Sequence, residues 1–204
     1  MRTFRFLFFL SILILSLTAC DKKPAEDRVQ PLSAKQPAYG DILVRGAIGD
    51  ASNLIPLLAS DSASHNIAGM VFNGLVKYDK DMNVVGDLAE SWDITAQGLV
   101  ITFHLRKGVK WHDCQPFTAA DVLYTYQVTV YPKTPTAYAE DFRAIKKAEA
   151  LDDYTFRATY DKPFALALIS WSSSILPRHL LSGTDITKSP LARHPIGTWP
   201  YIFK

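Results

Sequence analysis

The 204 residues carry 22 Lys and Arg against 20 Asp and Glu, a formal net charge of +2 with the signs interspersed, and this excludes the basic footprint of a nucleic-acid surface. With 48% hydrophobic and 12% aromatic residues the chain can build one sizeable core, which excludes disorder for most of its length. Of its two cysteines, Cys20 has a use of its own, so Cys114 reads as an unpaired, partly buried small residue rather than a reactive thiol.

Arg2 and Arg5 form a positive leader, and Phe6 to Leu17 an apolar run too short to span a bilayer but suited to secretion. The run closes on Leu17-Thr18-Ala19-Cys20, which resembles a bacterial lipobox. That resemblance implies residues 1–20 as a lipoprotein signal peptide and Cys20 as the lipidated residue. A plain signal peptide with an incidental cysteine is the simpler alternative, disfavoured because the cysteine directly follows the small pair. Asp21 resembles the signal that retains lipoproteins at the inner membrane of many diderm bacteria. Residues 21–38 are charged and proline-bearing with almost no apolar periodicity, a tether that cannot offset its ordering entropy.

Tyr39 opens the folded part, and Asp41 to Arg45 reads as a short buried strand closed by Gly46 and Gly49. Those glycines lack the lysine and full pattern of a phosphate loop, which favours turns. Between Ser64 and Gly74, Ile67, Met70 and Val71 fall at helical spacing with Leu75 beyond, and Gly74 is placed as a C-terminal cap. From Leu99 to Arg106 the residues alternate, with Leu99, Ile101, Phe103 and Leu105 on one side, which predicts a half-buried strand. Lys107-Gly108 breaks it. Val109 and Trp111 resume the alternation before a loop over residues 112–116.

Thr118 and Asp121 form a loose capping box that predicts a helix beginning at Ala119. Its apolar stripe is Val122, Leu123, Tyr126 and Val130, and Pro132 and Pro135 end it. Ile145 to Ala150 and Tyr154 to Tyr160 flank Leu151-Asp152-Asp153 as a hairpin. Phe164, Leu168 and Trp171 then recur at helical spacing. Trp92 and Trp111 are assigned to the core of the small sheet.

The chemistry-bearing residues do not add up to an enzyme. His104, His112 and Asp113 lack metal-ligand spacing, and His104 falls on the polar side of its strand. Ser172-Ser173-Ser174 with His179 and Asp185 lack a nucleophile elbow. No cofactor and no metal are called for.

Leu88-Ala89-Glu90-Ser91-Trp92, the run from Phe103 to Asp113, and Pro116 to Val122 closely resemble the family 5 extracellular solute-binding proteins, the oligopeptide-, dipeptide- and nickel-binding components of ABC importers. Asn73 to Asp79 and Leu191 to Thr198 resemble further family segments. The resemblance implies a mixed α/β fold of the type II periplasmic binding protein kind: 39–74 the start of a first lobe, 75–162 an inserted small domain, and 163–204 the return to that lobe, with the second lobe absent and the chain corresponding to the amino-terminal third of a longer protein. It implies a lipoprotein on the inner membrane, facing the periplasm or exterior, that binds an oligopeptide, dipeptide or related solute and delivers it to permease subunits. Ser62 and Ala63 would offer backbone groups to the ligand and Tyr138 a hydroxyl, although Tyr138 could equally just pack its loop. A small envelope lipoprotein that serves protein contact without solute binding is the alternative. The sequence departs from the family at Cys114 and Trp199, where the family has glycine, and a side chain in either turn predicts local strain.

Overall fold

The computed structural model describes residues 44–204. The expected signal peptide with Cys20, the expected tether and the first residues of the strand expected at 41–45 lie outside the described residues. Val44 is 86% exposed and belongs to no strand, so the expected buried strand is not seen there. A short apolar run states only that side chains can be buried, whereas a strand also requires a neighbour for its backbone groups. Residues 46–204 form one compact unit.

Its centre is a four-stranded antiparallel sheet of β3 (Ala89–Thr95), β4 (Val100–Leu105), β6 (Thr155–Tyr160) and β5 (Ile145–Asp152), in that spatial order. A separate hairpin, β1 (Val76–Tyr78) with β2 (Val84–Gly86), precedes it. The alternation in β4 is realised: Ile101, Phe103 and Leu105 are all buried, and Phe103 faces Trp92 on one side and Phe156 on the other. The hairpin of β5 and β6 forms as expected, with its turn at residues 153–154. Strand β3 gives no such signal because it lies at the edge and exposes most of its residues. Trp92 on it is only half-buried, short of the core position assigned to it.

One tryptophan knits the sheet to what covers it. Trp171 is 1% exposed, with ring centroids 4.8 Å from Phe156, 5.1 Å from Phe142 and 5.7 Å from Phe103. Its indole N–H donates to the Tyr160 hydroxyl at 3.0 Å, which donates to the Ala167 carbonyl at 3.0 Å. A buried polar relay is tolerated because every member is satisfied. Burial pushes the Tyr160 phenol up to about 12. The run holding Trp171 is not the helix its spacing suggested; it makes turns and a short 3-10 segment, Ile169–Ser172.

Helix α2 (Ala119–Val130) starts where the capping box placed it. The Thr118 N–H donates to Asp121 at 2.9 Å and the Arg178 N–H donates to the same carboxyl at 3.0 Å. Asp121 is buried, which raises its pKa, while those two bonds pull the other way. The buried face is rotated from the expected stripe: Ala119, Asp121, Val122, Thr125 and Thr129 are buried, with Leu123, Tyr126 and Val130 only half so. Thr125 and Thr129 survive there because their hydroxyls donate to the carbonyls four residues back, at 2.8 and 2.7 Å.

A second apolar cluster joins Ile55 and Leu57 to Leu176, Leu181, Ile186 and Leu191. It includes a one-turn helix, Arg178–Leu181. The early and late segments are also tied by backbone bonds, Leu54 N–H to Ala192 at 3.0 Å, Leu75 N–H to Trp171 at 2.8 Å and Trp199 N–H to Val71 at 3.0 Å. Gly74 is needed here for a reason other than the cap assigned to it: α1 (Ser62–Val71) ends at Phe72, and a Cβ on Gly74 would collide with the backbone of Ser172. Cys114 has φ +70° and is exposed, not partly buried as expected, so a turn built for glycine carries a thiol. Trp199 is outside the left-handed region, and its expected strain is absent. Its carbonyl accepts from His112 Nε2 at 2.7 Å, and Lys77 Nζ lies 4.5 Å from its ring centroid.

Candidate functional site

Helix α1 is set by its N-cap. Asp61 accepts from the Ser64 N–H at 2.8 Å, the Ser64 hydroxyl at 2.7 Å and the Ser52 hydroxyl at 2.5 Å. The Ser52 and Ser64 hydrogen bonds hold its carboxyl well below the usual range. The cap therefore stays charged at the positive helix end. Ser62 and Ala63 are the first two helical residues. Ser62 is exposed and the Ala63 side chain is buried, so Ala63 has only main-chain atoms to offer a ligand. As residues of the first turn, their N–H groups have no partner within the helix.

One turn on from Ser62, His65 meets the other candidate. Tyr138, just before the short helix α3 (Ala139–Phe142), places its hydroxyl 3.2 Å from His65 Nε2, with the rings edge-to-face and 6.3 Å between centroids. The structure thus places Tyr138 against α1, while Ser62 and Ala63 stand at the head of the same helix. His65 was not singled out from the sequence. The signal available was its spacing: i+3 from Ser62 puts both on one helical face.

Beneath this pair is a cavity with about 90 Å³ of free space, walled by Leu57, Thr125, Phe142, Trp171 and Ile175. Tyr126, Thr129, Ser173 and Ser174 also face it, which puts two members of the serine run on its wall. Burial raises the Tyr126 phenol, whose hydroxyl donates to the Ile145 carbonyl at 3.3 Å.

The remaining polar candidates are dispersed. His104 pairs with Asp93 at 2.9 Å on the exposed sheet face. His179 pairs with Asp113 at 2.7 Å, and Asp185 accepts from the Thr187 N–H at 3.0 Å. His179 and Asp185 therefore have separate partners and do not assemble around the serine run. Burial pushes the Asp113 carboxyl up, but the His179 and Gln115 hydrogen bonds outweigh it and leave the pKa lowered. Among the described residues no group of three or more metal-ligating side chains converges.

The family model of bacterial extracellular solute-binding proteins, family 5 Middle, matches residues 83–204. The chain belongs to this family. It is similar to the oligopeptide-binding protein AppA of Bacillus subtilis, at 33% identity over 202 residues, covering 96% of this chain and 37% of that protein. It is also similar to the glutathione-binding protein GsiB of Pectobacterium atrosepticum, at 34% identity over 160 residues, covering 77% and 31%. Among solved structures, NikZ of Campylobacter jejuni in complex with Ni(L-His) superposes with a TM-score of 0.71 at 34% identity, covering 76% of this chain and 31% of that one. AppA in complex with a nonapeptide superposes at 0.72 and 30% identity, covering 78% and 32%. The mixed α/β fold of this family 5 chain is that of the type II periplasmic binding proteins, and the chain spans about a third of the length of the relatives it matches. The family consists of solute-binding proteins, not enzymes.

Proposed function

We propose that this chain supplies one wall of a solute-binding protein of an ABC importer, which captures peptides or a related small solute outside the inner membrane and hands them to permease subunits. The observation that carries the reading is the family match over residues 83–204, together with relatives that bind an oligopeptide, glutathione and a nickel–histidine complex. In this reading 39–74 and 163–204 belong to the first lobe and 75–162 is a domain inserted into it. Ser62 and Ala63 offer main-chain groups and Tyr138 its hydroxyl to the ligand, a mode in which backbone bonds hold a peptide largely regardless of its sequence. Cys20 carries the lipid that anchors the protein, and residues 21–38 span the gap between membrane and fold. Movement of two lobes about a hinge presents the closed form to the permease.

A single wall makes a quantitative prediction. Pockets that bind well bury ~70–90% of a ligand, and one wall leaves roughly half exposed. Ligand charges left in water gain only ~0–1 kcal/mol per ion pair. Losing 2–3 kcal/mol at each of two such places turns a micromolar binder into a millimolar one or worse, at tenfold per ~1.4 kcal/mol. Calorimetry with a mixed di- to pentapeptide pool, on the 204-residue chain and on the same chain joined to a relative's second lobe, tests this. The expected outcome is micromolar binding only by the joined protein. If neither binds, the solute-binding reading fails and the protein-contact alternative stands; micromolar binding by the chain alone shows that one wall suffices.

A further inference from the structure

The serine run has no catalytic partners, yet two of its members stand where donors are scarce. Ser173 and Ser174 line the cavity beside α1, both half-buried, and neither hydroxyl has a hydrogen-bond partner among the described residues. The other donors of the wall already donate within the protein. The Thr125 and Thr129 hydroxyls bond backbone carbonyls at 2.8 and 2.7 Å, the Tyr126 hydroxyl bonds the Ile145 carbonyl at 3.3 Å, and the Trp171 indole bonds Tyr160. What the Thr129 and Tyr126 oxygens keep is room to accept. The lining contains no Asp, Glu, Lys or Arg, so a carboxylate or ammonium entering it would leave water without meeting an opposite charge. At the mouth, Tyr138 and His65 share one hydrogen bond of 3.2 Å.

We propose that this cavity receives an uncharged carboxamide of the captured solute, such as an asparagine side chain. Its carbonyl accepts from the Ser173 or Ser174 hydroxyl, and its amino group donates to the open oxygens of the wall. The inference rests on the solute-binding reading and names a preference within it. A carboxamide suits a wall with more open acceptors than donors, because it brings two N–H donors and one carbonyl acceptor. A carboxylate of the same shape brings acceptors only, together with a charge. An aliphatic chain covers both serine hydroxyls without bonding them, which forfeits their hydration. The space limits the size: about 90 Å³ is less than the ~150 Å³ of a cavity that admits benzene, so a short amide fits and an indole does not.

The experiment is a protein-observed NMR titration of the full 204-residue chain, reaching high millimolar, with the N-acetyl N′-methylamides of asparagine, aspartate and leucine. These side chains are near-isosteric and differ in carrying an amide, a carboxylate or two methyl groups. The expected result is asparagine binding about tenfold tighter than either of the others, with shifts at Ser173, Ser174 and Ile175. Replacing both hydroxyls, Ser173→Ala with Ser174→Ala, is expected to bring asparagine down to the level of leucine, with a thermal melt showing that the variant folds. Ser172→Ala, at the exposed serine that does not line this cavity, is expected to leave the preference unchanged. The three-ligand comparison on the unaltered chain stands even if the double variant does not fold. Equal affinities, a preference for leucine or aspartate, or an asparagine preference untouched in the folded double variant overturns the pocket and leaves the solute-binding reading intact. Absence of binding by all three also overturns the pocket, and the solute-binding reading falls with it only if the two-lobe protein takes up no peptide.

Discussion

Trp111 is 2% exposed, edge-on to Phe117 with 6.2 Å between centroids, and its indole N–H has no hydrogen-bond partner. Trp111→Ala is expected to destabilise the folded unit by about 3–5 kcal/mol, the usual range for a large buried aromatic. Urea unfolding of residues 39–204 measures it, and a loss below about 1 kcal/mol would mean that the ring is not part of the core. The alternation around Trp111 marked it for burial, and the structure agrees. The same expectation for Trp92 fell short because composition does not say whether a strand is central or at an edge. Tyr138 could be suspected from its resemblance, but its partner His65 lies 73 residues away in the chain, and no local pattern joins two such residues. At Cys114 the turn was legible, and its left-handed backbone was expected from the missing glycine.

The start of α2 shows an element read correctly for an incomplete reason. Thr118 and Asp121 announced the cap, but the carboxyl also takes the Arg178 N–H, a tertiary bond no local motif contains. Burial raises the Asp121 pKa, so the folded chain holds that proton more tightly than the unfolded chain, where the ordinary value is ~3.9. The sign follows from linkage: this contribution is fully present below the unfolded pKa and is lost as pH rises through the raised folded value. Asp121→Asn cannot ionise, so the stability difference between parent and variant should shift against the parent as pH climbs from about 4 through the raised pKa. Urea midpoints of both proteins between pH 4 and 8 check it; a difference independent of pH contradicts the assignment. Strand β4 was legible because it is central, with one face wholly apolar. The hairpin of β1 and β2 was not, because three-residue strands are too short to establish a period. In α1 Val71 is buried as its spacing suggested, whereas Ile67 and Met70 are only half-buried and Ala63, Ser64 and Ala68 fill the rest of the buried face.

At the scale of the whole protein, the proposed anchor and the folded unit are separable, and Cys20→Ser tests the anchor alone. The thiol is the lipid acceptor in that proposal, so the variant should lose incorporation of a labelled fatty acid and move from the detergent phase to the aqueous phase. Unchanged label and partitioning would remove the lipoprotein assignment without touching the fold. The folded unit is closed by contacts between its beginning and its end: Thr198 donates to Asn73 across 125 residues, and Arg193 donates to the Ala51 carbonyl across 142. Gly197 passes so near the Val71 carbonyl that no Cβ would fit between them. A unit fastened in this way cannot complete its structure until residues 193–198 have been made, because they lock its first helix. Its refolding should be slow, in the ~millisecond-to-second range typical of high contact order, and a chain ending before residue 193 should remain loosely associated and accessible to protease. Stopped-flow tryptophan fluorescence on the 204-residue chain measures the rate, and completion within microseconds would show that these late ties do not limit it. For the export proposed for this chain such lateness is useful, because a polypeptide that has not yet closed can still be threaded.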